Sequence, residues 1–438
     1  MIDLENNKSF CPYAFKGALL SASTVGMTVP CCRFDVREHP TNEQDYFEEH
    51  ESDIRNYNKN FYDSIRQKMI NGEMIPGCHK CYKEEQMLGT SMRTESIKEF
   101  QNYDEQEAKK KLNYGPIGKL ETIQQPELTY LEIQSGRYCN LKCRSCGPGL
   151  STSWDEDLVS SDVLTNFFGP NKHFLANKLA EAPSTNIDLD LLTYDDCLKL
   201  TGIKITGGEP FLTDTVTSFL TKLNDWGLAK NISIEVFTNC SFFPKAKYRE
   251  ILPNFRLVTV CLSLDAVEQR AEFIRKKSKW QVVEKVAKFW NDFSLEHSTI
   301  KINISHTVSI FNVMYFYEFL KWAEQKFQDQ IDSSNFDYLI EYHFVSSPTY
   351  LFIGNFSDSA KKNIVSHIDD LSIKSENELV NKYSKKLYKK YVEDVKKIMA
   401  KQNKNTTDEF KEKTAMFDKI RKENWQQVFP ELVEVVNA

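Results

Sequence analysis

The stretch Cys139-Asn140-Leu141-Lys142-Cys143-Arg144-Ser145-Cys146 decides how the rest of this chain is interpreted. It follows residues 128–134, where apolar and polar residues alternate as in a β-strand. Three thiolates on one short loop can bind three irons of a cubane cluster and leave the fourth iron open to a ligand. A structural zinc loop is the alternative, although this spacing is not typical of zinc ribbons. The stretch therefore favours a reactive centre at the end of a strand.

After residue 128, short apolar runs alternate with segments of helical length. The predicted strands are 128–134, 202–206, 232–238, 257–264, 300–307 and 338–345, and the predicted helices lie near 212–226, 244–251, 267–292, 313–327 and 357–371. Such alternation predicts an α/β fold of parallel strands joined by crossover helices. Six units are too few for a closed eight-stranded barrel and fit an open, partial (β/α)6 TIM-like barrel. Chemistry in such folds lies at the carboxyl ends of the strands.

The composition is that of a globular protein. The chain has 438 residues, of which 41% are hydrophobic, and its formal net charge of −6 gives no reason to expect a nucleic-acid partner. We find no run of about 18 apolar residues that would predict a membrane span, and no signal peptide. Eleven cysteines without an export signal are expected to be metal ligands or buried thiols, so we expect a cytoplasmic protein.

A second group of cysteines lies in the first 125 residues. Its four candidate metal ligands are Cys11, Cys31, Cys78 and Cys81. Four thiolates can close one metal site completely, and this spacing fits zinc as well as an iron–sulfur cluster. Cys32 is treated as a bystander, because neighbouring side chains of an extended chain point in opposite directions. Gly77 would let the chain turn into the Cys78–Cys81 loop, and a charged helix is predicted from there toward residue 111.

The second predicted strand runs into Gly207-Gly208-Glu209-Pro210. Two glycines permit close approach of a ligand to the backbone, and Glu209 can accept hydrogen bonds from an amine. The structural alternative is a glycine turn into a helix with Pro210 at its first position.

Polar residues also end the next two strands. The third strand ends at Asn239, and the fourth at Ser263 and Asp265, whose oxygens can accept hydrogen bonds from ribose hydroxyls. Arg275 could bind a carboxylate through two parallel hydrogen bonds, or it could be a surface helix arginine. Histidines 306 and 343 on the last two strands are interpreted as structural residues.

The final part of the chain is helical and rich in lysine. Between residues 383 and 398 apolar residues recur at steps of three and four, which predicts an amphipathic helix with a solvated lysine face. We divide the chain into an N-terminal metal-binding domain at 1–125, the partial barrel at 126–350 and a C-terminal helical region at 351–438.

Together these motifs resemble those of the radical S-adenosylmethionine (radical SAM) enzymes. The resemblance covers residues 128–345 and rests on the three-cysteine loop, on residues 207–210, on Asn239, and on Ser263 with Asp265, in the family's order on successive strands. One departure is Ser145, since many members have an aromatic residue before the last cysteine. Tyr138 or Phe237 would then have to pack against the adenine.

The resemblance implies a function for these residues. Cys139, Cys143 and Cys146 would ligate a 4Fe–4S cluster whose open iron binds the amino and carboxylate groups of S-adenosylmethionine. Residues 207–209 would meet the amino group, Ser263 and Asp265 the ribose and carboxylate, and Arg275 the carboxylate. Reduction of the cluster would then give a 5′-deoxyadenosyl radical that abstracts hydrogen from a substrate.

The N-terminal cysteines resemble half of a SPASM domain, the twitch module, which binds one auxiliary 4Fe–4S cluster. Cys11, Cys31, Cys78 and Cys81 match its beginning, although SPASM domains usually follow the barrel. Because no cysteine lies between Cys81 and Cys139, we expect no second auxiliary cluster.

The leading hypothesis is a radical SAM oxidoreductase of maturase type that modifies a peptide or protein, with a flavodoxin or ferredoxin as electron donor. The first alternative is the same chemistry on a small molecule such as a nucleotide, a sugar or a cofactor precursor. The second is a catalytically idle iron–sulfur or zinc protein that binds a partner. The intact residues 207–210 with Ser263 and Asp265 argue against the second.

Overall fold

A computed structural model describes residues 7–21, 27–35, 38, 60–101, 128–160, 189–332, 339–401 and 404–437. Its centre is one eight-stranded sheet with the order β2-β1-β3-β4-β5-β6-β7-β8. The strands are β1 Gly17–Ser21, β2 Met27–Val29, β3 Tyr130–Gln134, β4 Gly202–Thr206, β5 Ser233–Thr238, β6 Leu257–Ser263, β7 Ile300–Val308 and β8 Ile340–Phe344. All neighbours are parallel except β1 and β2, so the predicted α/β sheet with its six strands, β3 to β8, is confirmed.

The N-terminal region adds a seventh parallel strand. Strand β1 pairs with β3 over its whole length, from Gly17 opposite Tyr130 to Ser21 opposite Gln134. The boundary drawn near residue 125 thus separates two strands that are hydrogen-bonded in one sheet. The division into three domains stays a prediction.

One face of the sheet is apolar and packs against the helices. Ile203 and Ile205 of β4, Ile234 of β5 and Val258 of β6 are fully buried there. Parallel sheets covered on both faces usually have strands of continuous apolar sequence. These strands alternate instead, so the opposite face is polar.

The polar face carries a row of charges. Glu132 of β3 lies opposite Lys204 of β4, which lies opposite Glu235 of β5. Lys204 Nζ is 3.9 Å from Glu132 Oε1 and 3.8 Å from Glu235 Oε2. These side chains were not singled out in the sequence, because each strand alone shows only one charged residue among apolar neighbours.

The sheet is curled, with its polar face inside. The positive charge of Lys204 on β4 acts on the pKa of Glu341 on β8, which burial raises to about 7. In a flat sheet these two strands would be about 19 Å apart, four spacings of about 4.8 Å. Electrostatic coupling at that distance would be largely screened. The polar face is therefore concave, as a partial barrel requires.

The helices on the apolar side agree with most of the predicted ones. They are Asp214–Asp225, Ala246–Ile251, Glu268–Ile274, Trp280–Glu296, Phe316–Lys326 and Gln328–Asp332. The single helix predicted at 267–292 is wrong, since the chain breaks between Ile274 and Trp280 and Lys277 takes a positive φ of 79°. The carbonyls of Ile274 and Lys276 there accept hydrogen bonds from the cysteine loop, which explains the break.

The N-terminal helices are Tyr13–Lys16, Asn60–Ile70, His79–Leu88 and Met92–Gln101. The one helix predicted from Cys81 onward is two helices, separated at Gly89 with a φ of 78°. Residues 102–111 lie outside the described part of the chain. Between residues 150 and 200 the structure describes 150–160 and 189–200, with helices Asp155–Leu158 and Tyr194–Cys197.

The C-terminal region is helical, as predicted. Its helices are Asp358–Glu378, Lys382–Met399, Thr407–Arg421, Trp425–Val428 and Pro430–Asn437. Helix Lys382–Met399 buries an apolar stripe that includes Leu387, Tyr391 and Val395, which confirms the amphipathic pattern. Among the described helices none has the length and apolar character needed to cross a membrane.

Candidate active site

The three cysteines of the loop lie together beyond the carboxyl end of β3. Cys139 is buried, and Cys143 and Cys146 are half-buried. Burial raises the pKa of the Cys139 thiol to about 11 and that of Cys146 to about 12. Cys143 further raises the pKa of both thiols, so the three sulfur atoms are close neighbours. Burial also raises the pKa of Cys143, while the charges of Arg275 and Arg421 lower it.

The loop is fixed to the turn that follows β4. The amide of Gly208 donates to Gly136 O at 2.7 Å, and the amide of Glu209 donates to Tyr138 O at 2.8 Å. Ser135, at the end of β3, bonds Thr206 O through both its amide and its hydroxyl. Residues 206–209 therefore fix the position of the backbone that leads into Cys139.

The two glycines of this turn are required by the loop itself. A Cβ on Gly208 would lie 2.2 Å from Tyr138 O, and one on Gly207 would lie 2.7 Å from the amide of Ser135. Gly207 also has a φ of 118°, which side chains other than hydrogen rarely permit. The sequence predicted a close backbone approach at these glycines, and in the structure the approaching backbone is that of residues 135–138.

Glu209 is buried and holds two segments together. Its Oε2 accepts from the amide of Asn239 at 2.7 Å, and its Oε1 accepts from the amide of Phe211 at 3.3 Å at the start of a short helix, Pro210–Leu212. The structural alternative of a glycine turn into a helix is thus present at this residue. Burial raises the pKa of Glu209 to about 7, and the bond from Asn239 opposes that rise.

Asn239 connects this turn to the cysteine loop. Its Nδ2 donates to Asn140 Oδ1 at 3.0 Å and lies 3.7 Å from Cys139 Sγ. Asn140 in turn donates to Ser241 Oγ at 2.7 Å. Sequence reasoning identified Asn239 but missed Asn140 and Ser241, although both lie within two residues of motif residues.

Asp265 and Arg275 form an ion pair beside the loop. Arg275 Nη2 is 2.8 Å from Asp265 Oδ2, and Asp265 Oδ1 accepts from the amide of Thr307 at 2.9 Å. Asp265 is buried, so this ion pair lies inside the protein. Ser263 is half-buried on the polar face at the end of β6. Arg275 thus lies inside the molecule, contrary to the surface alternative.

The two histidines differ. His306 is buried, its Nδ1 is 2.9 Å from Leu264 O, and burial lowers its pKa to about 4. This agrees with its interpretation as a structural residue. His343 lies on the polar face and is exposed to water. Its pKa is nevertheless lowered to about 4 by the surrounding protein atoms and by the charges of Arg33 and Lys204.

The four N-terminal candidate ligands also come together. Cys31 is influenced by the charges of Cys11, Cys81 and Cys78, and burial raises its pKa. Cys11 is buried, with a pKa that burial raises to about 12. Arg93 joins this region by donating to Phe10 O at 3.0 Å and pairing with Glu85 at 2.6 Å.

Cys32 lies next to Glu132 of β3. Its amide donates to Glu132 Oε2 at 3.0 Å, and its pKa is raised to about 12 by burial and by Glu132. The treatment of Cys32 as a bystander stays a prediction, and the hydrogen bond brings the N-terminal segment to the polar face of the sheet. Gly77 has a role other than the predicted turn, because a Cβ there would lie 2.6 Å from the ring of Phe34.

Among the described residues no three histidine, cysteine or acidic side chains converge on one point as ligands of a single ion would. Thiolates of a cubane cluster bind different irons, so their sulfur atoms need not converge in that way.

The fold and the site define an α/β protein with a three-thiol centre at the carboxyl ends of its strands. No protein-family profile matches the chain. Three curated relatives are named GTP 3′,8-cyclase. The relative from Campylobacter curvus is 31% identical over 152 residues, 34% of this chain and 38% of its own length. The relative from Aliarcobacter butzleri is 26% identical over 179 residues, 40% of this chain and 46% of its own length. The chain thus matches less than half the length of these relatives.

Solved structures give weaker matches. Native anSMEcpe with bound AdoMet has a TM-score of 0.33 and 17% identity over 57% of this chain and 61% of that one. SuiB of Streptococcus suis bound to precursor peptide SuiA has a TM-score of 0.33 and 17% identity over 68% of this chain and 60% of that one.

The three curated relatives are radical SAM enzymes, which confirms the resemblance to that superfamily predicted from the sequence motifs. That resemblance implies a 4Fe–4S cluster and S-adenosylmethionine as cofactors.

Proposed function

We propose that this protein is a radical SAM enzyme in which Cys139, Cys143 and Cys146 hold the 4Fe–4S cluster. The observation that carries this proposal is the junction of the cysteine loop with the turn at residues 206–209. Two amide hydrogen bonds and two glycines without room for a Cβ fix three neighbouring thiols at this junction. A loop that served only to connect elements would not need such contacts.

The donor set fits an iron–sulfur cluster. Soft thiolates are the usual ligands of such clusters, and hydrogen bonds to sulfur help to set their potentials. Asn239 Nδ2 is 3.7 Å from Cys139 Sγ and can provide one such bond. Burial raises the pKa of Cys143, and the positive charge of Arg275 opposes that rise and so supports the thiolate form needed for binding.

The acceptors around the loop fit S-adenosylmethionine. Its amino group donates hydrogen bonds, and Glu209 offers carboxylate oxygens with lone pairs beyond the two already used. Ser263 and Asp265 would meet the ribose, and Arg275, which lies beside Asp265, would hold the carboxylate. When bound, the cluster and S-adenosylmethionine would together supply hydrogen-atom abstraction from a substrate. Asn239, through its amide, keeps Glu209 oriented for this binding.

We assign the four N-terminal cysteines to an auxiliary 4Fe–4S cluster in a twitch-like module. Their mutual influence on one another's pKa supports a shared site for Cys11, Cys31, Cys78 and Cys81. Zinc is the alternative, because the same four thiolates could bind it. The segment reaches the polar face through Cys32 and Glu132, which favours a role in electron transfer or in anchoring the substrate.

For the substrate we favour a peptide or protein, as expected for a maturase-type oxidoreductase. On the polar face of the sheet, the strands present Lys204 and Lys301 against Glu132, Glu235 and Glu341, so this face has no excess of positive charge. A nucleoside triphosphate needs an excess of positive charge to offset its phosphates. A small-molecule substrate is the second candidate, and the name GTP 3′,8-cyclase of the curated relatives favours it.

The test uses the full chain reconstituted with iron and sulfide without oxygen. We expect about eight irons per chain from two cubanes, and dithionite-dependent 5′-deoxyadenosine formation that the triple variant Cys139→Ala/Cys143→Ala/Cys146→Ala abolishes. If the triple variant still makes 5′-deoxyadenosine, the cluster assignment is wrong. No cleavage by the fully loaded wild type would favour the idle binding protein, and zinc with about four irons would reassign the N-terminal site.

The substrate is tested in the same assay. GTP should not change the rate of 5′-deoxyadenosine formation. A peptide substrate should raise that rate, and the mass of the peptide should change in the reaction. A GTP-dependent rise with a new nucleotide product would overturn the peptide proposal and favour the small-molecule one. A flavodoxin or ferredoxin should replace dithionite as the electron donor.

A further inference from the structure

The two cations that flank Cys143 in the sequence are both buried in ion pairs. Lys142 Nζ is 2.6 Å from Asp157 Oδ1, and Arg144 Nη2 is 2.6 Å from Asp418 Oδ1 and 2.8 Å from Glu423 Oε2. Side chains of Lys142 and Arg144 are only 9% and 3% exposed. Two of the carboxylates belong to the C-terminal region, more than 270 residues away in the sequence.

The C-terminal helix Thr407–Arg421 adds a cation of its own. Arg421 Nε donates to Asp157 Oδ2 at 2.8 Å, so Asp157 lies between Arg421 and Lys142. Its guanidinium also lies 4.7 Å from the ring centres of Trp154 and Phe417. The group therefore joins the cations Lys142, Arg144 and Arg421 to the carboxylates Asp157, Asp418 and Glu423, and Lys142 Nζ also lies 3.2 Å from Glu156 Oε2.

The same segment reaches the loop by a second route. Lys276 Nζ is 2.9 Å from Glu423 Oε1, and the carbonyl of Lys276 accepts from the amide of Lys142 at 3.1 Å. Asp418 Oδ2 accepts from the amide of Trp425 at 2.6 Å, which fixes the turn after the helix. Arg144 also lies 3.8 Å from the ring centre of Phe273. Backbone and side-chain contacts thus converge on residues 142–144.

We propose that the C-terminal helix and the turn after it belong to the cluster centre, where Asp418 and Glu423 act through Arg144 as positioning residues. This inference rests on the proposed function, since it concerns the cluster of Cys139, Cys143 and Cys146. The contacts have two consequences. They hold the loop in place before the cluster binds, and they neutralise the cations beside Cys143, which sets the net charge around the cluster.

Net charge is one of the quantities that determine the reduction potential of an iron–sulfur cluster. Removing a carboxylate leaves a positive charge uncompensated and makes the cluster easier to reduce. Removing the arginine has the opposite effect. A residue that served only to keep the loop folded would give changes in one direction, because each variant would loosen the same loop.

The experiment uses the full chain with Asp418→Asn, Arg144→Gln, the double variant of both, and Glu412→Gln as the control. Glu412 is an exposed carboxylate on the same helix. A redox titration would follow the electron paramagnetic resonance signal that changes when S-adenosylmethionine is added. At a fixed solution potential we expect Asp418→Asn to raise the reduced-to-oxidised ratio up to about tenfold, equivalent to about 59 mV for one electron.

Arg144→Gln should lower that ratio by a similar factor, and the double variant should lie between the two single variants. Glu412→Gln should leave the ratio unchanged. Shifts of both single variants in the same direction, or no shift in either, would overturn the electrostatic role.

A second measurement does not need the cluster. In the metal-free protein, alkylation of Cys139, Cys143 and Cys146 should be several-fold faster in Asp418→Asn and Arg144→Gln than in the wild type or Glu412→Gln. Equal rates would overturn the positioning role. The conservative variant Arg144→Lys keeps the charge, so it should alkylate faster yet retain the wild-type ratio.

Failure of the proposed function can be distinguished from failure of this inference. If the wild type binds no cluster on this loop, the proposed function and the electrostatic role both fail, and the alkylation rates still decide whether the helix fixes the loop. If a single variant does not fold, circular dichroism shows it, and Arg144→Lys with Asp418→Glu replaces it.

Discussion

The two cysteine groups of this chain are held in different ways. Cys139, Cys143 and Cys146 lie on one loop that is bonded to the turn after β4, to residues 274 and 276 and to the C-terminal region. Cys11, Cys31, Cys78 and Cys81 come from three separate segments, and Cys11 and Cys31 are buried in a smaller apolar cluster with Phe34 and Ile75, against which Cys78 packs. The first group is positioned by hydrogen bonds and ion pairs, and the second mainly by burial.

This difference has a physical consequence. Hydrogen bonds and ion pairs fix direction as well as distance, which suits a site where an open iron must face a bound ligand. Burial fixes the thiols without specifying what faces them, which suits a site closed by four ligands. The two groups also differ in the cations near them. The first group has Arg275, Arg421, Lys142 and Arg144, and the second has Arg93 and Arg33.

The strongest test of this difference is Gly208→Ala. Its Cβ would lie 2.2 Å from Tyr138 O, a backbone atom that cannot move without moving the cysteine loop. We expect loss of the site-differentiated cluster and a fall of more than about 100-fold in 5′-deoxyadenosine formation, as 1 Å displacements in active sites cause. Gly147→Ala is the matched control, because nothing lies within 4 Å of a Cβ there. Equal activity in the two variants would contradict the steric argument.

A second test uses the buried carboxylate that only the first group has. Glu209 has a pKa raised to about 7 by burial, and only its ionised form attracts the amino group of S-adenosylmethionine. Affinity should therefore fall about tenfold from pH 8 to pH 6, as the ionised fraction falls from about 0.9 to about 0.1. Equilibrium binding to the reconstituted protein measures this change. In Glu209→Gln the pH dependence should be lost, and a dependence that persists there belongs to another group.

A third test separates the groups by removing the second. Cys78→Ala/Cys81→Ala should reduce the iron content from about eight to about four per chain, while uncoupled S-adenosylmethionine cleavage stays within about threefold of the wild type. The reason is that the loop's own contacts do not involve these cysteines. Iron analysis and 5′-deoxyadenosine assays measure both quantities. Loss of cleavage together with loss of iron would show that the two groups depend on each other.

The smallest effect is expected for Gly77→Ala. A Cβ there meets the ring of Phe34 at 2.6 Å, but a ring can rotate where a backbone cannot. We expect a loss of about 1–3 kcal/mol in the free energy of unfolding, as overpacking of a core causes. Denaturant unfolding measures it, with 5′-deoxyadenosine formation unchanged. A loss of cleavage as large as that of Gly208→Ala would remove the distinction between the two glycines.

The sequence alone determined the strand order of the barrel and the positions of its motifs. Parallel strands joined by helices bring the ends of β3, β4, β5 and β6 to one edge, so residues 139, 209, 239 and 265 could be grouped without coordinates. The spacing of three cysteines and the two glycines were local signals. The strand β1 was not predicted, because its pairing with β3 joins segments more than 100 residues apart.

Only the tertiary structure decided what surrounds those motifs. The partners of Arg144 are Asp418 and Glu423, and the curled sheet brings Glu341 within the electrostatic reach of Lys204 and Glu235. Neither set of contacts can be predicted from sequence periodicity, because a charged residue in a strand or a helix does not indicate which distant charge it will pair with. The sequence around Gly208 indicated that another group approaches its backbone closely. Only the packing of the two loops shows that this group is the backbone of Tyr138. Local patterns specify conformation, and the distances between segments arise only when the chain folds.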